Sequence, residues 1–168
     1  MASIIVTFEL SGRDVEVMVS PMTTLQSVLR QQLGQTSVKE GCRQGGCGSC
    51  TVLVDGEPML ACLLPVEDVA GRRVTTVEGI TPTEGLDPVQ QAFLDANAFQ
   101  CGYCTPGMIV LARALLDHHP TPSREEIVEA LGGNICRCTG YLPIVDAVEA
   151  ASAGTGTADA ADRAESGR

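Results

Sequence analysis

Eight cysteines in a chain of 168 residues constrain this fold more than any other feature of the sequence. They fall into two groups of four: Cys42, Cys47, Cys50 and Cys62, then Cys101, Cys104, Cys136 and Cys138. The N-terminus lacks the pattern of a secretion signal, and hydrophobic residues make up 44% of the chain, so a core does not require disulfides. We therefore expect a cytoplasmic protein whose reduced thiols bind metal.

The first group has the spacing C-x4-C-x2-C followed by a distant fourth cysteine, which is typical of plant-type [2Fe–2S] ferredoxins. The loop from Gly41 to Cys50 also contains four glycines, which let backbone N–H groups turn inward toward the sulfur atoms. Structural zinc is the alternative, but zinc sites favour paired C-x2-C units, and only Cys47 and Cys50 form one. The spacing therefore favours a [2Fe–2S] cluster.

The second group has the pattern C-x2-C followed by C-x-C, which is not a ferredoxin spacing. The spacing alone is compatible with either a zinc site or an iron–sulfur cluster. A thioredoxin-type dithiol is less favoured because no βαβ pattern surrounds Cys101 and Cys104. Cys104 directly precedes one expected helix, and Cys136 and Cys138 shortly precede another. The positive ends of two helix dipoles would then face a site that holds thiolates.

The N-terminal half predicts a small mixed sheet crossed by a helix, the β-grasp arrangement, over residues 1–80. Alternating apolar residues predict a hairpin, and Asp55-Gly56 predicts a second one that delivers Cys62 from a strand. A helix from Leu25 to Leu33 is capped by Thr23 or Thr24 and ends at Gly34. The expected strands are 3–10, 14–19, 51–54, 59–63 and 73–77.

After a linker at residues 81–85 the apolar pattern takes helical spacing. Four helices are expected to form a small bundle over residues 81–152, and residues 153–168 are expected to form a flexible tail. The fold class is therefore α+β. The four helix starts are Asp87-Pro88, Thr105-Pro106, the capping box from Ser123 to Glu126, and Tyr141-Leu142-Pro143.

Composition excludes several partners. The chain has 11 Lys+Arg against 21 Asp+Glu, a net charge of -10, and only 3% aromatic residues, which argues against nucleic acid. No apolar run reaches the roughly 20 residues of a membrane-spanning helix. We find no catalytic triad, P-loop or dinucleotide fingerprint, so no substrate-binding catalytic site is expected. His118 and His119 are interpreted as favourable charges at a helix end rather than as ligands.

Taken together, the two groups make the chain resemble the small iron–sulfur subunit of the molybdenum hydroxylases, the family of xanthine dehydrogenase, aldehyde oxidoreductase and aerobic carbon monoxide dehydrogenase. The resemblance spans roughly residues 3–152. It is carried by the order of the two groups and by the segments Gln100–Gly107 and Cys136–Tyr141.

The resemblance implies an electron-transfer subunit of an oxidoreductase complex with two [2Fe–2S] clusters. A large partner subunit would carry the molybdopterin cofactor, and a medium partner subunit would carry FAD. The proximal cluster would be held by the second group of cysteines and the distal cluster by the first. Gln100 and Cys138 would contact the pterin. Arg43 follows Cys42 where the family is usually more acidic, and this cation should raise the potential of the distal cluster.

Two other functions remain open at this point. A free-standing ferredoxin-like carrier would be a stable monomeric holoprotein, although a carrier needs only the first group of cysteines. A zinc-stabilised interaction module would contain zinc without acid-labile sulfide, whereas the relay would contain about four iron and four sulfide per chain. This sequence does not indicate the substrate of the complex.

Overall fold

The computed structural model describes the backbone of residues 3–162 and the side chains of residues 3–154. These residues form a mixed α+β structure with one five-stranded sheet. The strands are β1 Ile4–Leu10, β2 Arg13–Val19, β3 Thr51–Val54, β4 Glu57–Leu60 and β5 Arg73–Thr75. The helices are α1 Leu25–Gln31, α2 Val77–Ile80, α3 Pro88–Asp95, α4 Thr105–His118, α5 Arg124–Leu131 and α6 Leu142–Asp162, with a 3₁₀ turn at Val66–Val69.

The sheet has the strand order β2-β1-β5-β3-β4. The β1–β2 hairpin is antiparallel and confirms the first predicted hairpin, whereas β1 and β5 run parallel. Alternate residues of β1 (Val6, Phe8 and Leu10) are buried, as a period-two pattern with one face on a core requires. Thr24 is the cap of α1, because its side chain accepts a hydrogen bond from the Ser27 N–H.

The second hairpin turns at Asp55-Gly56 as the sequence predicts. The carboxylate of Asp55 accepts hydrogen bonds from Arg72 Nε at 2.7 Å and from the Arg73 N–H at 2.9 Å, which lower its pKa. These bonds link the turn between β3 and β4 to the start of β5.

Two predicted strands end too late, and the one predicted at 59–63 also begins two residues earlier, at Glu57. β4 ends at Leu60, because the Leu63 N–H bonds back to the Leu60 carbonyl and closes a turn. Cys62 therefore lies in this turn and not on the strand. β5 ends at Thr75, and the chain enters α2 instead of continuing to Val77. Gly79 permits this path, because a Cβ atom there would overlap the side chain of Ser11.

The predicted starts of α3, α4, α5 and α6 are confirmed. Asp87 and Ser123 each form a complete capping box, with Gln90 and Glu126 as the reciprocal partners. Cys104 is the N-cap residue of α4, so a cysteine stands at a helix N-terminus as expected. A second hydrophobic core fills the space between these helices, centred on Phe93, Met108, Ile127 and Ile144.

α6 continues to Asp162, through the beginning of the segment that the sequence predicts to be a flexible tail. Ala151 and Ser152 are buried, and α6 packs along α3. Ala150, Ala151 and Ala153 favour continuation of the helix beyond Glu149, because alanine has the highest helix propensity. The last part of the predicted tail, 163–168, lies outside the described residues.

α4 joins the two halves of the molecule by covering the sheet. Leu53 of β3 packs against Val110 and Ala114 of α4 in a small third core. All four residues of β3 are buried for this reason, since α4 covers the face of the strand opposite the first core. The start of β3 and the start of α4 each directly follow a cysteine loop, so this packing brings the two loops together. In the part of the chain described, no helix is long and apolar enough to cross a membrane.

Candidate metal centres

The structure gathers the first group of cysteines, called here the first quartet, around the loop between α1 and β3. The side chains of Cys42 and Cys47 lie close to each other, as do those of Cys50 and Cys62. Cys50 and Cys62 are buried, whereas Cys42 and Cys47 are partly exposed. The quartet therefore consists of an outer pair and an inner pair of thiols.

Backbone groups of this loop point at the sulfur atoms, as the glycine-rich sequence predicts. The Gly46 N–H donates to Cys42 Sγ at 3.2 Å. A Cβ atom at Gly41 would lie 2.7 Å from Cys47 Sγ, so no side chain fits there. The Gln44 N–H is the main cause that lowers the pKa of Cys42 to about 7, whereas burial raises the pKa of Cys50 to about 12. Cys42 is thus closer to its thiolate form than Cys50 before metal binds.

The second group, the second quartet, also divides into an outer and an inner pair. Cys101 and Cys138 are exposed, and their sulfur atoms lie 3.6 Å apart. The side chains of Cys104 and Cys136 lie close to each other and form the inner pair, with Cys136 buried. Burial raises the pKa of Cys104 to about 12, and the contact with Cys101 raises the pKa of Cys138.

The loop around Cys136 is held by hydrogen bonds to its neighbours. Cys136 Sγ accepts from the Thr139 N–H at 3.4 Å and lies 3.1 Å from the Thr139 hydroxyl. Burial acts to raise the pKa of Cys136, but these bonds outweigh it and the pKa is lowered. The Tyr141 hydroxyl accepts from the Cys136 N–H at 3.0 Å and donates to the Asn134 carbonyl at 3.4 Å.

The paired arrangement of the thiols identifies the kind of metal centre that fits. A tetrahedral metal bound to sulfur at about 2.3 Å holds two of its thiolates about 3.7 Å apart, close to the 3.6 Å between Cys101 and Cys138. Within the described residues, no three His, Cys, Asp or Glu side chains are arranged to hold a single ion. Each quartet instead presents two pairs, which suits two metal atoms with two thiolates each. This donor set fits a [2Fe–2S] cluster better than one zinc ion.

Other residues singled out from the sequence lie in different settings. Gln100 is exposed and precedes the exposed Cys101. Arg43 is also exposed and forms a salt bridge with Glu40, so its charge is partly neutralised. The two histidines pair with carboxylates away from both quartets, His118 with Glu57 and His119 with Glu126.

One residue at the site escapes the sequence analysis. Asn134 is only 3% exposed and lies between the two cysteine loops, where its side chain meets Gly48 and Thr51. Its signal in the sequence is a polar side chain directly after Gly132-Gly133 and two residues before Cys136. That signal does not reveal the contact, because Thr51 is 83 residues away.

Family models match most of the chain. A model described as "2Fe-2S iron-sulfur cluster binding domain" matches residues 2–105, and one described as "[2Fe-2S] binding domain" matches residues 76–149. Each match contains one quartet, although the two overlap at Cys101 and Cys104.

Proteins similar to this chain include the nicotinate dehydrogenase small FeS subunit of Eubacterium barkeri, 45% identical over 148 residues, which are 88% of this chain and 94% of that protein. The chain is also similar to the aldehyde oxidoreductase of Megalodesulfovibrio gigas, with 46% identity over 85% of this chain and 16% of the relative. Among solved structures, quinoline 2-oxidoreductase from Pseudomonas putida 86 superposes with a TM-score of 0.88 at 40% identity, covering 93% of this chain and 98% of the matched chain.

Proposed function

Because the chain belongs to the small iron–sulfur subunits of the molybdenum hydroxylases, we propose that it relays electrons from a molybdenum-cofactor subunit, through two [2Fe–2S] clusters, to an FAD subunit. The chain is an iron–sulfur subunit of an oxidoreductase complex. The clusters, when bound, supply one-electron oxidation and reduction. The residues of this chain bind them, shield them and orient them toward partners.

The assignment of ligands follows the two quartets. The distal cluster is held by the first quartet, Cys42, Cys47, Cys50 and Cys62. The proximal cluster is held by the second quartet, Cys101, Cys104, Cys136 and Cys138. The pairing of the thiols supports this assignment, because each quartet offers two pairs for two iron atoms.

One observation carries the direction of the relay: the outer pair of the second quartet lies at the protein surface. Cys101 and Cys138 are exposed, and so is Gln100 beside them. Exposed apolar side chains flank these residues in the sequence, namely Phe99, Tyr103 and Leu142. An apolar surface around exposed ligands is what a permanent protein interface requires. We assign this face to the molybdenum-cofactor subunit, with Gln100 and Cys138 in contact with the pterin.

The first quartet is assigned to the FAD side. Its outer cysteines are partly exposed, and Leu63 beside Cys62 is 58% exposed. A polar recess of about 260 Å³ lies next to Cys62, lined in part by Gln26, Glu40 and Arg43. This more polar face contrasts with the apolar face around Cys101 and suits a different partner.

We further propose two folding units, a β-grasp domain over residues 1–80 and a small helical bundle over 81–152. The two main hydrophobic cores, one within residues 6–74 and one within 89–151, support this division. We also propose a cytoplasmic location, because cysteines that bind clusters must stay reduced until the clusters are inserted.

Two matched variants test the assignment. Cys62→Ser removes an inner ligand of the first quartet, and Cys104→Ser removes an inner ligand of the second. The wild-type protein should contain about four iron and four acid-labile sulfide, and its reduced form should give two distinct [2Fe–2S] EPR signals. Each variant should keep only one signal, and the two variants should lose different ones.

The complex supplies the second part of the test. The wild-type chain should co-purify with a molybdenum-containing subunit and a flavin-containing subunit. Zinc without sulfide, or loss of the same EPR signal in both variants, would contradict the ligand assignment. A stable monomeric holoprotein that binds neither subunit would contradict the relay.

A further inference from the structure

Asn134 fills a closed gap between the two cysteine loops. Its side-chain amide lies 3.3 Å from the Thr51 hydroxyl, and that hydroxyl donates its proton to the Gly48 carbonyl at 2.7 Å. Asn134 Nδ2 is buried without a hydrogen-bond partner among the described residues. A buried amide with an unpaired donor is costly, so its position calls for a physical reason.

The backbones around Asn134 leave no spare room. A Cβ atom at Gly48 would overlap the Asn134 side chain and lie 2.6 Å from the Gly133 carbonyl oxygen. On the other side, a Cβ atom at Gly107 of α4 would lie 2.7 Å from the Gly48 carbonyl oxygen. Three segments distant in sequence therefore meet at the Asn134 side chain, and glycines at two of them allow the close approach.

A direct hydrogen bond joins the two ligand loops beside Asn134. The Ile135 N–H donates to the carbonyl of Cys47 at 2.9 Å. Cys47 belongs to the first quartet, and Ile135 directly precedes Cys136 of the second. A second link lies nearby, where the Tyr103 hydroxyl donates to the Glu40 carbonyl at 2.9 Å.

We propose that Asn134 is a positioning residue that holds the two cysteine loops together, so that the hydrogen bond from Ile135 to Cys47 couples the two quartets electronically. This inference rests on the proposed relay. Electronic coupling falls off more slowly through covalent and hydrogen bonds than through a gap. Ile135 and Cys47 offer a path of backbone atoms interrupted by a single hydrogen bond, and Asn134 fixes the geometry of that bond from the adjacent position.

The test compares two variants at this contact with a matched control. Asn134→Leu keeps a similar volume and removes the amide, and Thr51→Val removes the hydroxyl that contacts Asn134. Thr76→Val is the control, because Thr76 is also fully buried and its hydroxyl also contacts a side-chain amide, that of Gln35. Iron content is measured first, and then the EPR spectrum of the fully reduced protein at low temperature.

We expect splitting of the two EPR signals by their magnetic interaction in the wild-type and Thr76→Val proteins. The splitting should be lost or reduced in Asn134→Leu and Thr51→Val, although both should keep about four iron per chain. Hydrogen exchange at the peptide containing Ile135 should be about fivefold faster in both variants, the change that one lost hydrogen bond gives to a local opening equilibrium.

Unchanged splitting in Asn134→Leu with both clusters present would overturn this inference and leave the proposed relay intact. Absence of splitting in the wild-type protein would overturn it as well. If Asn134→Leu does not bind iron, the splitting in Thr51→Val tests the inference instead. Loss of iron in both variants would overturn it, because the contact would then be required for cluster binding rather than for coupling. Wild-type protein with a single cluster would instead contradict the relay itself.

Discussion

Replacing Gly48 by alanine should destabilise the protein through the contact between its two halves. Gly48 has a φ of 69°, in the left-handed region, where a Cβ atom costs about 1–2 kcal/mol. Gly34 has nearly the same φ, 68°, but nothing lies within 4 Å of the place where its Cβ would be. Gly34→Ala therefore measures the backbone cost alone, and the difference between the two variants measures the contact with Asn134.

Replacement of Gly48 carries a second free-energy cost, from overpacking, that replacement of Gly34 does not. A Cβ atom would overlap the Asn134 side chain and approach the Gly133 carbonyl, so the two loops must move apart. Overpacking of this kind costs about 1–3 kcal/mol. For a chain of this size each kcal/mol lowers the melting temperature by about 2–4 °C.

Thermal unfolding of both variants with their clusters bound is the assay. We expect Gly48→Ala to melt about 2–12 °C below Gly34→Ala when both are heated at the same rate. The common scan rate is needed because cluster loss makes unfolding irreversible. Equal melting temperatures would refute this reasoning, since they would mean that the Asn134 side chain can move away from the added Cβ atom without loss of stability.

Three further changes have defined outcomes. Tyr141→Phe removes the acceptor of the Cys136 N–H and should destabilise the holoprotein by about 1–3 kcal/mol in thermal unfolding without loss of iron, and no change in melting would contradict the role of the hydroxyl. The pKa of Asp55 is lowered from its ordinary value of 3.8 by the neighbouring arginines, so its stabilising effect is present above pH 3.8 and disappears as the pH falls through the lowered value. The melting temperature of Asp55→Asn should therefore be below that of the wild type at neutral pH and approach it in acid, whereas a constant difference would contradict the assignment. Arg43→Glu should lower the midpoint potential of the distal cluster, and added salt should shrink this shift because Arg43 is exposed and paired with Glu40; a midpoint unchanged at low salt would contradict it.

Local signals in the sequence predict much of this fold. Three helix starts are marked correctly by Asp87-Pro88, by Thr105-Pro106 and by the capping box from Ser123, because caps and N1 prolines act within one turn of the chain. The two quartets are also predicted, since ligand spacing is a property of short segments. The errors are in element ends, such as the strand expected to reach Leu63, where a single turn hydrogen bond decides the boundary.

Contacts between distant segments could not be predicted in this way. Nothing near Asn134 in the sequence indicates that its side chain meets Thr51, because α4 creates that contact by packing on β3. The extension of α6 was missed for a similar reason. The alanines around Ala151 give only weak amphipathic signals in the sequence, although this part of α6 is buried.

The contact between the two halves also argues against a free-standing carrier. Without the helical half, Leu53 of the sheet would lose its cover from Val110 and Ala114 and become exposed. The Cys47 carbonyl would lose its hydrogen bond from Ile135, and Gly48 would lose the side chain that packs against it. The loop of the first quartet is therefore completed by residues of the second half. A carrier that used only the first quartet would have no reason to make its ligand loop depend on a second metal-binding unit, whereas a relay requires the two units to stay in a fixed relation.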